Sequence, residues 1–332
     1  MIFRSYLISY AEVKVKRVSK SRNVILLLLT DLIWGTAFVA QSTGGNEVGA
    51  YAFNCIRFLI GAVVLLPVIK FLDKGGYTSK RPKTKDERNV LWVGGICCGI
   101  ALCLASNLQQ VGITMGTETG KAGFLTATYI LMVPVIGLFF KRKCGAKIWL
   151  GVGITLIGMY MLCVNGEFYL RKQDILLILC AFCFAIQILL IDHFSPMVDA
   201  VRLSCIEFFI TGIGSAIPMF IVDMKHSSAG IMQWSQVLSS QSAWSAILYA
   251  GVLSSGVAYT LQVVGQKGLN PTFASMLMSL ESVVSVFAGW ILLGQKLSLR
   301  EIAGCCMIFA AIMIAQMPDR KTEMKMEYED EH

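Results

Sequence analysis

The sequence predicts an all-α integral membrane protein with ten transmembrane helices, arranged as two inverted five-helix repeats. Three observations carry that expectation. The first is composition: of 332 residues, 55% are hydrophobic and 15% charged, with a mean hydropathy of +0.65. A soluble domain carries about 25% charged residues, so this chain has too little polar surface to cover a globule. The second is the presence of ten apolar stretches, most of them near the roughly 20 residues a helix needs to cross a bilayer. The third is an internal echo. Gly95 to Phe140 and Gly251 to Gln295 share one layout: a small-residue segment, an amide-rich exit, a short turn and a second apolar segment.

Taken in order, residues 1–22 form a basic segment with Arg4, Lys14, Lys16, Arg17, Lys20 and Arg22 against a single acid, Glu12. No signal peptide fits, because the apolar run that follows is full length and lacks a small-residue cleavage site. The first repeat is expected over 23–164, with spans at 23–41, 49–71, 90–109, 122–140 and 148–164. The second is expected over 165–317, with spans at 175–191, 200–222, 246–265, 271–293 and 302–317. A charged tail, 318–332, closes the chain. The linker 72–89 holds six Lys/Arg, and Lys141, Arg142, Lys143 and Lys147 follow the fourth span. With an even number of spans, both of these clusters and the basic N-terminus fall on one side. The positive-inside rule then puts both termini in the cytoplasm, in the inner membrane. Trp234 and Trp244, around the Ser- and Gln-rich gap 223–243, read as interfacial anchors.

The formal net charge of +8 is not a nucleic-acid footprint, because the basic residues lie between apolar segments rather than on one face. The eleven cysteines do not outline a disulfide framework. Eight of them, Cys97, Cys98, Cys103, Cys180, Cys183, Cys205, Cys305 and Cys306, sit inside apolar spans, where Cys is a small hydrophobe. Cys180-x-x-Cys183 has neither a βαβ context nor a second ligand pair. His193, His226 and His332 lack metal spacing, so neither metal nor cofactor is expected.

Shifting the chain by 150 residues aligns Asn54-Cys55-Ile56-Arg57-Phe58 with Ser204-Cys205-Ile206-Glu207-Phe208. It also pairs Trp34-Gly35 with Phe184-Ala185 and Asn23 with Gln173. A shift of 156 pairs Gly95 with Gly251 and Gly112 with Gly268. Five spans per copy is an odd number, so the copies insert in opposite senses, as in transporters that alternate access around a site at the repeat interface.

These residues resemble the EamA-type transporters of the drug/metabolite transporter superfamily. The resemblance rests on Trp34-Gly35, Arg57-Phe58, the pattern from Gly123 through Phe124, Leu125, Thr126 and Tyr129 to Pro134, Ser279-Leu280-Glu281, and Leu293-Gly294-Gln295-Lys296-Leu297-Ser298. It covers roughly residues 23–317. It implies a ten-helix, two-repeat fold that carries small metabolites across a bacterial inner membrane, commonly outward. Two positions depart from the family pattern: Ser282 stands where proline is usual after the glutamate, and Gln295 where glutamate is usual.

Four ionisable groups lie inside spans: Asp31, Arg57, Glu207 and Glu281. Charges there are costly, so they line cavities or pair; the plainer alternative is helix–helix glue. Arg57 sits about 10 Å in from one face and Glu207 mirrors it from the other, so a direct pair is not assured. Glu281, ten residues past Pro271, is the deepest, and it is the leading candidate for proton coupling. The amides Asn107, Gln109, Gln187 and Gln262 can bind polar solutes without fixed charge. Gln110 and Gln266 read as caps at helix ends. Trp34, Tyr129 and Tyr259 suggest an aromatic wall.

The expected partners are a small-molecule substrate and the lipid bilayer, with no nucleic acid, and the chain is expected to be a monomer or homodimer. The leading function is secondary transport, with export and proton coupling as its finer features. A membrane enzyme is disfavoured because none of the common catalytic or nucleotide-binding signatures is present. A sensor or assembly protein would need a soluble domain larger than these loops.

Overall fold

Helix α1 (Lys20–Val48) opens a computed structural model that describes residues 20–76, 78, 80–117, 119–139, 145–164, 171–224, 232, 240–293 and 298–316. Several expectations lie outside these residues: the basic segment 1–19, the cluster 141–143, Trp234, His226, Gln295 and the tail 318–332. Among the described residues there is no strand. The first half continues with α2 (Ala50–Lys74), α3 (Lys85–Thr114), α4 (Thr119–Ala127), α5 (Tyr129–Phe139) and α6 (Ala146–Cys163). The second half has α7 (Lys172–Phe194) and then α8 (Ala200–Pro218), which runs on into a π-helical turn at Met219–Asp223. Next come α9 (Gln241–Leu248), a π-helical stretch at Tyr249–Tyr259, α10 (Thr260–Gln266), α11 (Pro271–Met278), α12 (Leu280–Leu293) and α13 (Leu299–Gln316).

Local chemistry sets several of these ends. Thr84 and Glu87 form a reciprocal capping box at the start of α3. Asn270 Oδ1 accepts from the backbone N–H groups of Thr272 and Phe273, and Pro271 follows at the first helical position, where no N–H is needed.

The chain is a multi-pass membrane protein by its helices. Among the described residues, seven stretches are long and apolar enough to cross a bilayer: 21–38, 50–74, 85–114, 121–139, 172–194, 200–223 and 241–266. Large apolar side chains such as Phe71, Ile100, Leu104, Ile217 and Phe309 point outward, as lipid contact requires and water would not tolerate. Seven is fewer than the ten expected, and the reasons are local. Among the described residues the fifth apolar stretch is a shorter helix, Ala146–Leu162, and the ninth is divided at Ser279 into helices of 8 and 14 residues.

Helix contacts map onto one another when the two halves are exchanged. Helix α1 packs on α12 and on Tyr249–Tyr259, and α7 packs correspondingly on α5 and on α3. Helix α2 meets Tyr249–Tyr259 as α8 meets α3, while α2 with α8 and α6 with α13 are the self-corresponding pairs. Small residues permit the crossings. A Cβ on Gly99 would lie 2.9 Å from the Glu207 carbonyl oxygen and against Ile210; one on Gly251 would lie 3.2 Å from that of Arg57 and against Ile60. Arg57 and Glu207, like Ile60 and Ile210, are 150 residues apart.

The same exchange relates contacts at the ends of the bundle. Asp73 accepts two hydrogen bonds from the Arg202 Nη2 group at 2.7 and 2.6 Å, and Asp223 accepts from the Ala52 backbone N–H at 2.7 Å. Asp73 and Asp223 are again 150 residues apart, as are Ala52 and Arg202. These two contacts tie opposite ends of the α2/α8 pair.

Candidate functional site

Three irregular stretches of backbone converge near the centre of the bundle. The fourth helical stretch is interrupted at Thr128, whose hydroxyl donates to the Leu125 carbonyl at 2.6 Å. Its counterpart is interrupted at Ser279, whose hydroxyl donates to the Met276 carbonyl at 2.7 Å, and the Ser282 N–H bonds back to the Ser279 carbonyl. Side chains of this kind compete with the helical ladder and bend it. The second break forms without the proline that the family resemblance led one to expect. The third stretch is the π-helical one, where α1 satisfies freed carbonyls. Thr30 donates to the Ala258 carbonyl at 3.2 Å, and Trp34 Nε1 to that of Ser254 at 3.4 Å.

A cavity opens between these stretches. Trp34, Phe38, Tyr129, Phe184 and Tyr259 form its aromatic walls. Gln41, Gln109, Thr126, Ser254, Gln262 and Glu281 supply its polar groups, and Ile188 and Met278 complete the lining. Trp34 stands edge-on to Tyr259 with ring centroids 4.6 Å apart, and Tyr129 edge-on to Phe184 at 6.4 Å. The room for water centres is about 40 Å³, enough for about three waters. A metabolite therefore needs the walls to part.

Glu281 is the one acid among the described lining residues, 6% exposed. Its backbone carbonyl lies against Gly35 of α1, where a Cβ would come within 2.7 Å. Asp31 sits one turn before Gly35, fully buried, and neither carboxylate oxygen has a hydrogen-bond partner among the described residues.

Arg57 is not in the lining. Its Nε donates to Asn54 Oδ1 at 2.8 Å, and its guanidinium lies over Phe58 at 4.5 Å from the ring centroid, with Nη2 unpartnered. Phe58 packs on Tyr259, so Arg57 stands one ring behind the cavity wall. Asn107 belongs to the same interior layer, accepting from Asn54 at 2.9 Å and donating to Ser215 at 2.9 Å. Glu207 forms no ion pair with Arg57; it accepts from Gln187 Nε2 at 2.8 Å, and Gln187 Oε1 accepts from Gln262 at 3.3 Å.

Of the residues singled out from sequence, Trp34, Gln109, Tyr129, Tyr259, Gln262 and Glu281 thus line the cavity. Gln187 and Glu207 reach it through Gln262, while Asp31, Arg57 and Asn107 lie behind it. Gln110 and Gln266 are buried rather than interfacial caps. Gln110 Nε2 holds the Gln41 backbone carbonyl at 2.8 Å, and Gln266 packs on the Met278 sulfur. Gln41, Phe38, Thr126, Phe184, Ser254, Ile188 and Met278 were missed. Phe184 was within reach, since the 150-residue shift already paired it with Trp34. Among the described residues no group of three or more His, Cys, Asp or Glu could hold a metal.

The sequence profile of the EamA-like transporter family matches twice, over residues 21–164 and 171–317. The chain belongs to the EamA-like transporter family. Relatives extend the match along nearly the whole EamA-like chain. An uncharacterized transporter of Archaeoglobus fulgidus is 27% identical over 292 residues, covering 88% of this chain and 84% of its own. The uncharacterized transporter YoaV of Bacillus subtilis is 23% identical, covering 85% and 94%. A protein crystal structure superposes with a TM-score of 0.72 at 18% identity, covering 92% of this chain and all of the other, which shows the fold alone.

Proposed function

We propose that this EamA-like protein is a secondary transporter that moves a small metabolite or drug-like molecule across the cytoplasmic membrane by alternating access, in the outward direction and coupled to protons. In this reading ten helices span the membrane as two inverted repeats with both termini cytoplasmic. The exchange-related contacts support the repeat, because Asp73 and Asp223 tie opposite ends of one helix pair.

The observation that carries the reading is a carboxylate, Glu281, in an aromatic and amide-lined cavity between two interrupted helices. Broken helices beside a central site are the arrangement by which transporters expose backbone and polar groups to solute. The matching stretch of the first repeat, Thr128–Pro134, holds no acid, so protonation would bias one conformation over the other. Proteoliposomes loaded with cell extract test this, with solute release followed under an imposed pH gradient. Wild-type protein is expected to give gradient-dependent net flux, and Glu281→Gln to lose it. Wild-type flux that ignores the gradient, or a variant that still follows it, would refute proton coupling at Glu281.

A further inference from the structure

Gln262 enters the cavity wall with its carboxamide oriented from behind. Its Nε2 donates to Gln187 Oε1, and Gln187 Nε2 donates to Glu207 Oε1. All three side chains are buried. Glu207 Oε1 accepts from the Gln187 amino group, which turns the Gln187 carbonyl toward Gln262. That carbonyl takes the Gln262 amino group in turn. The Gln262 Oε1 is left without a partner, in a residue that lines the cavity. The relay has one polarity: each amide donates toward Glu207 and accepts on the side of the cavity.

Glu281 adds a carboxylate, and Gln41 Oε1 has no partner among the described residues, while the hydroxyls of Thr126, Tyr129, Ser254 and Tyr259 can donate or accept. No Lys, Arg or His is among the described lining residues. Arg57 stands behind Phe58 and Tyr259, and the unpaired Asp31 adds a second carboxylate close behind the wall. Trp34 and Tyr259 supply rings, whose faces attract cations.

We propose that the cavity selects solutes carrying a protonated amine on an apolar or aromatic body, held by Glu281 and Gln262 Oε1, and that Glu207 is the positioning residue that fixes this polarity through Gln187. The proposal rests on reading the cavity as the solute site of a transporter. An ammonium group brings several donors and satisfies both acceptors at once, whereas a carboxylate meets acceptors and no cation.

The test compares binding of labelled phenethylammonium and 3-phenylpropionate to protein in lipid nanodiscs, with flux of both in proteoliposomes. Wild type is expected to favour phenethylammonium by at least about tenfold, and Gln262→Met to lose about tenfold of that affinity, as removal of a hydrogen bond to a charged group does. In Glu207→Gln both amides are free to flip, so the ratio of the two affinities falls by about tenfold. A merely structural role would weaken both probes alike and leave the ratio unchanged, which overturns the positioning role. If Glu207→Gln does not fold, Gln187→Met cuts the relay and the same ratio is read. Tighter binding of 3-phenylpropionate by wild type overturns the solute class. Net flux of 3-phenylpropionate without phenethylammonium binding overturns the inference and leaves the transporter reading intact. Phenethylammonium binding without net flux of any solute supports the inference and removes that reading.

Discussion

The four charged residues singled out inside the spans face four different situations, and each sets a different expectation. Glu281 touches the cavity, Asp31 is enclosed without a partner, Glu207 is held by one amide, and Arg57 is bonded to Asn54 and stacked on Phe58. A guanidinium used in this way is fixed by its planar fork and its ring contact, neither of which lysine reproduces. Arg57→Lys is therefore expected to destabilise the protein by about 2 kcal/mol, the scale of a lost hydrogen bond from a charged group. Thermal melting in detergent should fall by several degrees, while KM for the transported solute stays within about twofold, since the group lies behind Tyr259. A rise in KM of tenfold or more with unchanged melting would put the guanidinium in the solute site. The sequence made Arg57 a cavity-lining candidate because depth along a helix is visible there, whereas the ring between it and the cavity is not.

At the scale of helices, the crossings depend on small residues facing carbonyls. Gly99 and Gly251 occupy exchange-related seats, each over the carbonyl of a charged residue on the facing helix. A larger side chain at either one forces α3 from α8, or the π-helical stretch from α2. Overpacking of this kind costs about 1–3 kcal/mol, so Gly99→Val and Gly251→Val should lower stability by similar amounts in urea or thermal titrations. A neutral outcome at one and a large loss at the other would mean that the two seats are not equivalent. The interruptions at Thr128 and Ser279 belong to this scale too. Neither was read from the sequence, because Thr and Ser occur freely inside apolar helices. Their side chains bend the backbone only where packing directs them onto the preceding carbonyl. The rotation of each helix was equally hidden. Lipid and protein interior are both apolar, so a spanning helix has no clear amphipathic stripe to show which face points inward. That is why Asn107, about two turns from the Thr114 end of α3, was expected in the cavity and is found in an interior network with Asn54 and Ser215.

For the molecule as a whole, much was legible because membrane residence is written in local composition. The apolar stretches, the two-copy layout and the acid at Glu281 could all be read from residue order, and the match of the family profile to both halves agrees with the two-copy layout. The placement of the ends can now be argued from contacts as well as from charge. Asn23, near the start of α1, donates to the Lys267 carbonyl at 2.6 Å, so the turn between α10 and α11 lies at the end where α1 begins. At the other end of α1, Glu47 accepts from the hydroxyls of Ser240 and Ser242, which places the start of α9 there. Helix α2 begins beside that same end and runs back, so Lys74 and the linker carrying Lys83 return to the end of Asn23. The basic linker and the start of α1 therefore share one side, which the positive-inside rule predicts to be cytoplasmic. Cysteines introduced at Lys83 and Ser242, in a chain whose native cysteines have been replaced, should react from opposite sides with a membrane-impermeant maleimide. Ser242→Cys is expected to label in intact cells and Lys83→Cys only after the membrane is opened. Labelling of both from the same side would break the antiparallel run of α1 and α2 and with it the ten-span arrangement. Labelling with the sides reversed would keep the fold and turn the transporter over in the membrane.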